Sequence, residues 1–239
     1  MLSTWLADLK ADFIQTFIEA NRWKSLLGGL GVTLEITALS LLVGIVLGIL
    51  VAVVRSSYNQ SSEGRKPGKL LSFFNSICEI YLTVIRGTPV MVQLLIMYFV
   101  ILAKSTNTIL VATITFGINS GAYVAEIIRG GIESIDKGQM EAGRSLGFNY
   151  VSTMRYIIIP QAIKNILPAL GNEFIALLKE TSIVNVIGMK DITKWAMNVQ
   201  GRTYQAFMPF IGIAFIYLIM VFIFTRLVAK LERSMNNDD

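Results

Sequence analysis

Residues 26–54 read LLGGLGVTLEITALSLLVGIVLGILVAVV, an apolar run broken by one charge, Glu35. At 1.5 Å of helical rise per residue, the run outlasts the roughly 20 residues needed to cross the hydrocarbon core of a bilayer. It predicts a membrane-spanning helix. The whole chain of 239 residues agrees, with 54% hydrophobic and 15% charged residues and a mean hydropathy of +0.60, where soluble domains carry about 25% charged residues.

Downstream, residues 88–103 are uncharged but short for a span, and the apolar stretch 70–85 extends them. As one straight helix, residues 70–102 would measure roughly 50 Å against a core of roughly 30 Å. The early part is therefore expected to lie tilted or interfacial, with a break near Gly87 and Pro89 and a span over 80–103. Further spans are expected at 108–128, 162–188 and 207–225. The total is about five, in an all-α integral membrane protein with a single transmembrane domain over 1–239. Residues 1–22 lack the charged start and short apolar core of a signal peptide. Trp5, Leu9, Phe13 and Phe17 recur there at helical spacing, which suits an amphipathic helix on the outer surface or one packed on a neighbour.

The basic residues orient the chain. Arg55, Arg65, Lys66 and Lys69 follow the first span, Arg129, Lys137, Arg144 and Arg155 follow the third, and Arg226, Lys230 and Arg233 close the chain. Lys and Arg mark cytoplasmic loops, so the N-terminus is expected outside and the C-terminus inside a cytoplasmic membrane. Trp5, Trp23 and Trp195 then fall on the outer side as interfacial anchors. The net charge of +5 thus reads as an orientation signal and implies lipid, not nucleic acid, as the surrounding partner.

Composition also excludes chemistry. There is no histidine and one cysteine, Cys78, which removes the usual zinc ligands, disulfides and Ser-His or Cys-His relays. No catalytic residue and no metal ligand is expected. The nearest approach to a phosphate loop, Gly64-Arg65-Lys66-Pro67-Gly68-Lys69-Leu70, is one residue short and has Leu where Ser or Thr would hold magnesium. Energy for active transport would therefore come from a separate protein.

The largest polar stretch, residues 129–160, reads RGGIESIDKGQMEAGRSLGFNYVSTMRYIIIP. Within it stand Glu141-Ala142-Gly143, then Gly147, Ile157 and Pro160. Their spacing resembles the E-A-A motif of ABC importer permeases, with Gly143 and Ile159 as departures from its second Ala and its Leu. Arg86-Gly87-Thr88-Pro89, Gly121-Ala122-Tyr123-Val124-Ala125-Glu126, Pro168-Ala169-Leu170-Gly171-Asn172-Glu173-Phe174 and Lys179-Glu180-Thr181-Ser182 look like the polar amino-acid branch of that family, the histidine/glutamine-type permeases. The resemblance covers most of residues 26–226. It implies the type I permease fold with a cytoplasmic coupling helix and a second permease copy or paralogue. It also implies a pair of cytoplasmic ATPase subunits that hold ATP and magnesium, and an extracytoplasmic amino-acid-binding protein. No cofactor is expected on this chain itself. Small Ala142 and Gly143 would let the coupling helix sit close in a groove of the ATPase, Glu141 would add a polar contact, Gly147 would permit a sharp turn, and Pro160 would mark re-entry into the membrane.

Ionisable groups inside spans mark a functional path or a buried pair. Glu35, Glu126, Glu173, Lys179 and Glu180 qualify. Glu173 falls roughly 16 Å along its helix, near the midplane, beside Pro168, Gly171 and Asn172, and a Gly/Pro-interrupted span points to a transporter binding site. Glu173 with Asn172 is expected to accept a substrate ammonium, and a helix end or Arg86 its carboxylate; the alternative is a structural pair with Lys164 or with a partner permease. Arg86 also suits lipid phosphate at the interface. Glu126 should reach Arg129, three residues on. Gly117, Asn119, Ser120 and Gly121 suit helix packing first and, through Asn119 and Tyr123, path lining second. The reading is a permease subunit of an ATP-driven polar amino-acid importer; an ion-gradient-driven transporter or channel is the alternative.

Overall fold

The computed structural model describes residues 2–64 and 67–236, which form helices joined by short connections, with no strand among them. In order these are α1 (Leu2–Phe13), α2 (Arg22–Gly64), α3 (Lys69–Gly87), α4 (Val90–Ile96), α5 (Thr108–Glu133), α6 (Lys137–Ser145), α7 (Tyr150–Thr153), α8 (Ile159–Glu180), α9 (Ile192–Thr203) and α10 (Phe207–Asn236). Wide π turns at Met97–Ile101 and Met154–Ile158 continue α4 and α7, and a 3₁₀ stretch, Thr181–Ile187, follows α8. Helices satisfy their own backbone hydrogen bonds, which is what hydrocarbon demands of a spanning chain.

The central pair is α2 and α5. Val43 meets Gly117, Gly44 meets Ser120 and Gly48 meets Val124, so contact positions rise together and the two helices run parallel. Glycine sets their separation: a methyl at Gly48 would lie 2.5 Å from Val124 Cγ1 and 2.9 Å from the Ala125 backbone nitrogen. Most hydroxyls on this pair are spent locally. Thr33, Thr37 and Thr115 donate to carbonyls one turn back, Gly29, Thr33 and Val111, at 3.0, 2.7 and 2.7 Å, whereas the buried Thr113 Oγ1 has no hydrogen-bond partner among the described residues.

Around this pair α8 runs antiparallel to α5, with Gly131 beside Ile166 and Ser120 beside Glu173. α10 runs antiparallel to α8, with Gly171 on Val228 and the Phe174 and Phe224 rings 4.8 Å apart. The C-terminal ends of α2, α5 and α10 therefore share one end of the bundle with α6 and α7, and Arg55, Arg129, Arg144, Arg155, Arg226 and Lys230 gather there. The opposite end carries α9 and the N-terminal segment. Phe17 stacks on Trp195 at 5.5 Å, and the Trp195 indole N–H donates to the Arg22 carbonyl at 2.9 Å.

Several expected boundaries move. Ala7–Asn59, Lys69–Gly87, Thr108–Glu133 and Phe207–Met235 are each long and apolar enough to cross a membrane, so the spans drawn at 26–54, 108–128 and 207–225 lengthen. Ala20 and Asn21, both at positive φ, separate the amphipathic segment from α2. The span drawn at 80–103 starts mid-helix: α3 begins at Lys69 and the break falls at Thr88 and Pro89, since a proline pushes the preceding residue out of the helical region. The expected interruption around Pro168, Gly171 and Asn172 is absent. Proline removes a single backbone bond, α8 continues to Glu180, and Gly171 serves instead to admit α10, a methyl there lying 2.5 Å from Val228 Cγ2. The span drawn to 188 changes character at Thr181 and turns at Gly188, φ +82°. The polar stretch drawn as 129–160 is bounded by the end of α5 at Glu133 and the start of α8 at Ile159. Trp195 is buried against Phe17, not placed as a lipid anchor. The Trp5 side chain, Arg65 and Lys66 lie outside the described residues.

Candidate functional site: a polar face on α8

α8 has the length to span, about 33 Å, yet is not among the uniformly apolar helices. The reason is one stripe. Asn165, Asn172 and Lys179 are exposed, with Ala169, Ala176, Glu173 and Glu180 half-buried beside them, at steps of three and four residues that line one helix face. The other sides of α8 pack on α5, α10 and α2, apart from a separate apolar strip toward its start, where Ile159, Ile163 and Leu167 are exposed. The stripe itself is small and polar, while the uncovered faces of α2 and α10 carry Leu42, Val46, Leu50, Leu218 and Phe222. Hydrocarbon suits the second kind of surface and penalises the first.

Glu173 sits at the edge of this stripe. Its Oε1 accepts a hydrogen bond from Ser120 Oγ at 2.7 Å, and Ser120 is itself wholly buried against Gly44. The rigid α2–α5 seam therefore positions one carboxylate oxygen and leaves the other lone pairs available. Asn172, the neighbouring residue, is exposed.

Asn119 and Arg86 lie in a second arrangement, an elbow between α3 and α4. Asn119 is 3% exposed and its Nδ2 donates to Gln93 Oε1 at 3.0 Å. Gln93 Nε2 donates in turn to the Ile85 and Thr88 carbonyls at 2.8 and 3.1 Å and to Thr88 Oγ1 at 2.9 Å. One glutamine thus caps the end of α3, spans the proline break and ties both helices to α5. Sequence reading missed Gln93; its signal was an amide in an otherwise apolar run. The Arg86 guanidinium lies 5.9 Å over the Tyr123 ring and 3.8 Å from Glu126, which also binds Arg129 at 2.8 Å; Arg129 continues to Glu133 at 2.6 Å. Tyr123 is 37% exposed.

At the end of α5, α6 crosses beneath the bundle. Asp136 caps its start, accepting from the Gly138 N–H at 2.7 Å. Glu141 and Ala142 face outward, but Gly143 faces inward: a methyl there would lie 2.5 Å from Thr153 Cγ2. Its small size serves the packing of α6 on α7 within the chain, a correction to its expected place on a partner-facing side. Gly147 turns the chain with φ +82°, a conformation that favours glycine, and Pro160 occupies the first turn of α8. Leu146, Phe148 and Val151 form an exposed apolar patch beside Glu141, which the spacing of the motif had not indicated. At the opposite end Asp191, wholly buried, caps α9 through the N–H groups of Thr193 and Lys194 at 3.0 and 2.9 Å, and burial pushes its carboxyl above the ordinary range. Among the described residues no group of three or more Cys, Asp or Glu side chains is placed to hold a metal ion.

The chain belongs to the binding-protein-dependent transport system inner membrane component family, whose model matches residues 44–237. It is 38% identical to the arginine transport system permease protein ArtQ of Bacillus subtilis, over 90% of this chain and 94% of that protein. It is 35% identical to the glutamine transport system permease protein GlnP of Escherichia coli K12, over 88% and 92%. An amino acid ABC transporter crystallised with histidines matches at TM-score 0.79 and 43% identity, covering 88% of this chain and 94% of that one. The inward-facing MetNI methionine ABC transporter shares the fold at TM-score 0.76 and 16% identity, covering 91% and 99%. The protein is a non-catalytic membrane permease subunit of the ABC importer type, with the type I permease fold.

Proposed function

We propose that this chain forms half of the pathway of a polar amino-acid importer, with the α8 stripe lining that pathway and Glu173 and Asn172 receiving the substrate ammonium. The observation that carries the proposal is the polar, uncovered face of α8 on an otherwise apolar bundle. Such a face needs water or a partner subunit beside it, and a second permease copy enclosing a path supplies both. Tyr123 lies on the adjoining exposed edge of α5. Arg86 and Asn119 act through the elbow, Arg86 being held by Glu126 and Tyr123 and Asn119 by Gln93. The relatives named for arginine and glutamine transport support the substrate class.

In this reading the end bearing α6 is cytoplasmic, the C-terminus lies inside and the N-terminus outside, following the basic residues gathered at that end. Glu141 and Ala142, with Leu146, Phe148 and Val151, meet a cytoplasmic ATPase, whose ATP and magnesium supply the energy. Gly147 and Pro160 fix the angle at which α6 leaves and the chain re-enters the bundle. The α9 end receives an amino-acid-binding protein. The test is reconstitution with the ATPase and binding protein. Uptake should require ATP and persist when ion gradients are collapsed, and Glu173→Gln should raise the substrate concentration for half-maximal uptake about tenfold or more while the complex still assembles. Unchanged uptake affinity together with failed assembly would show Glu173 to be a packing residue.

A further inference from the structure

Where α2, α3 and α5 meet at the α6 end lies a cavity of about 260 Å³ lined by Arg55, Glu79, Leu82, Thr83, Arg86 and Glu126. It adjoins a larger one of about 730 Å³ that runs under α5 to Glu141 and Arg144 of α6, and Arg55 and Glu126 line both. Two of the four charges in the smaller cavity lie within ion-pair distance of an opposite charge: Arg86 is 3.8 Å from Glu126, which Arg129 holds more closely at 2.8 Å and on which Arg55 acts at longer range. The other two do not. Among the described residues Arg55 makes no ion pair within 4.0 Å and its buried Nε has no hydrogen-bond partner, and Glu79 accepts only from Asn75 Nδ2 at 3.0 Å.

An open cation and an open anion on one small cavity complement a dipolar molecule. A phosphate suits it poorly, because two carboxylates line the walls. A lipid tail suits it poorly too, since the apolar residues Phe73, Ile77 and Val84 of α3 are turned roughly 120–160° around that helix from Glu79. We propose that this cavity is a second amino-acid site, at the release end of the path, in which Arg55 takes the α-carboxylate and Glu79 the α-ammonium. The proposal rests on the polar amino-acid reading above and adds a station distinct from Glu173. The junction of the two cavities at Arg55 places the departing solute against the end of α5 and next to α6.

The test is equilibrium binding of radiolabelled L-glutamine, L-arginine and L-histidine to the permease–ATPase complex in nanodiscs, without binding protein or nucleotide. The wild type should show two classes of site per permease chain for at least one of these. Arg55→Gln and Glu79→Gln should each weaken one class tenfold or more, Arg55→Lys should retain it, and Glu173→Gln should weaken the other. An Arg55→Gln isotherm superimposed on wild type, loss of all binding in Glu173→Gln alone, or displacement by inorganic phosphate as effective as by amino acid would each overturn the second site. Absence of binding to the wild type for all three amino acids would overturn the substrate reading itself, and this site with it.

Discussion

The seam between α2 and α5 and the outer face of α8 both depend on small residues, and they use them for opposite ends. In the seam, Gly44, Gly48, Gly117 and Gly121 let two backbones approach until a methyl has no room. On α8, Ala169 and Ala176, both half-buried, separate the exposed Asn165, Asn172 and Lys179. Smallness in the first place stores packing energy; in the second it leaves space. The same residue type therefore marks the rigid part of the molecule and the part that cargo must pass, and only the surroundings distinguish them.

Added bulk should separate the two regions most sharply. Gly48→Leu forces a side chain against the Ala125 backbone, which cannot give way, and should cost about 3 kcal/mol or more, read as loss of monodisperse protein in detergent. Ala176→Leu adds similar bulk to the stripe. It should leave thermal stability within about 0.5 kcal/mol of wild type yet lower uptake about tenfold or more, as a filled path would. Equal loss of folded protein in both would dissolve the distinction. Between these extremes, Gln93→Leu leaves the Asn119 amide without its acceptor and the end of α3 without its cap. It should destabilise by about 1–3 kcal/mol, and a double-mutant cycle with Asn119→Ala should show strong coupling. The smallest effect belongs to the residue shared by both regions: Ser120→Ala removes one hydrogen bond to Glu173 and should cost about 1 kcal/mol, with a modest loss of substrate affinity visible in uptake at low concentration.

Much of the seam could be read from composition, because Gly117, Ser120 and Gly121 in a membrane helix have few uses besides close approach. The proline at 89 was legible for the same local reason. Pro168 misled because a proline's effect depends on its neighbours: with Gly171 and α10 holding the helix in place, one missing hydrogen bond does not break it. Gly143 misled differently, since a small residue admits a neighbour without saying whose neighbour it is, and here it is Thr153 of the same chain. Glu173 was singled out by its charge within a span and its Pro168, Gly171 and Asn172 neighbours; its hydroxyl partner, Ser120, comes from a helix far away in sequence, and no periodicity encodes such a pairing. Gln93 shows the converse, an amide whose hydrogen-bonding duties became visible only once α3, α4 and α5 were assembled.

The parallel alignment of α2 and α5 also bears on how the protein is made. Two parallel helices cannot be neighbours in a hairpin, so the glycine face of α2 enters the membrane before its partner exists and must wait while α3 and α4 are synthesised. During that interval Gly44 and Gly48 present a groove to lipid that any other small-faced helix could occupy. The earliest test of correct folding for this chain is then whether α5 finds that groove before a second newly made copy does.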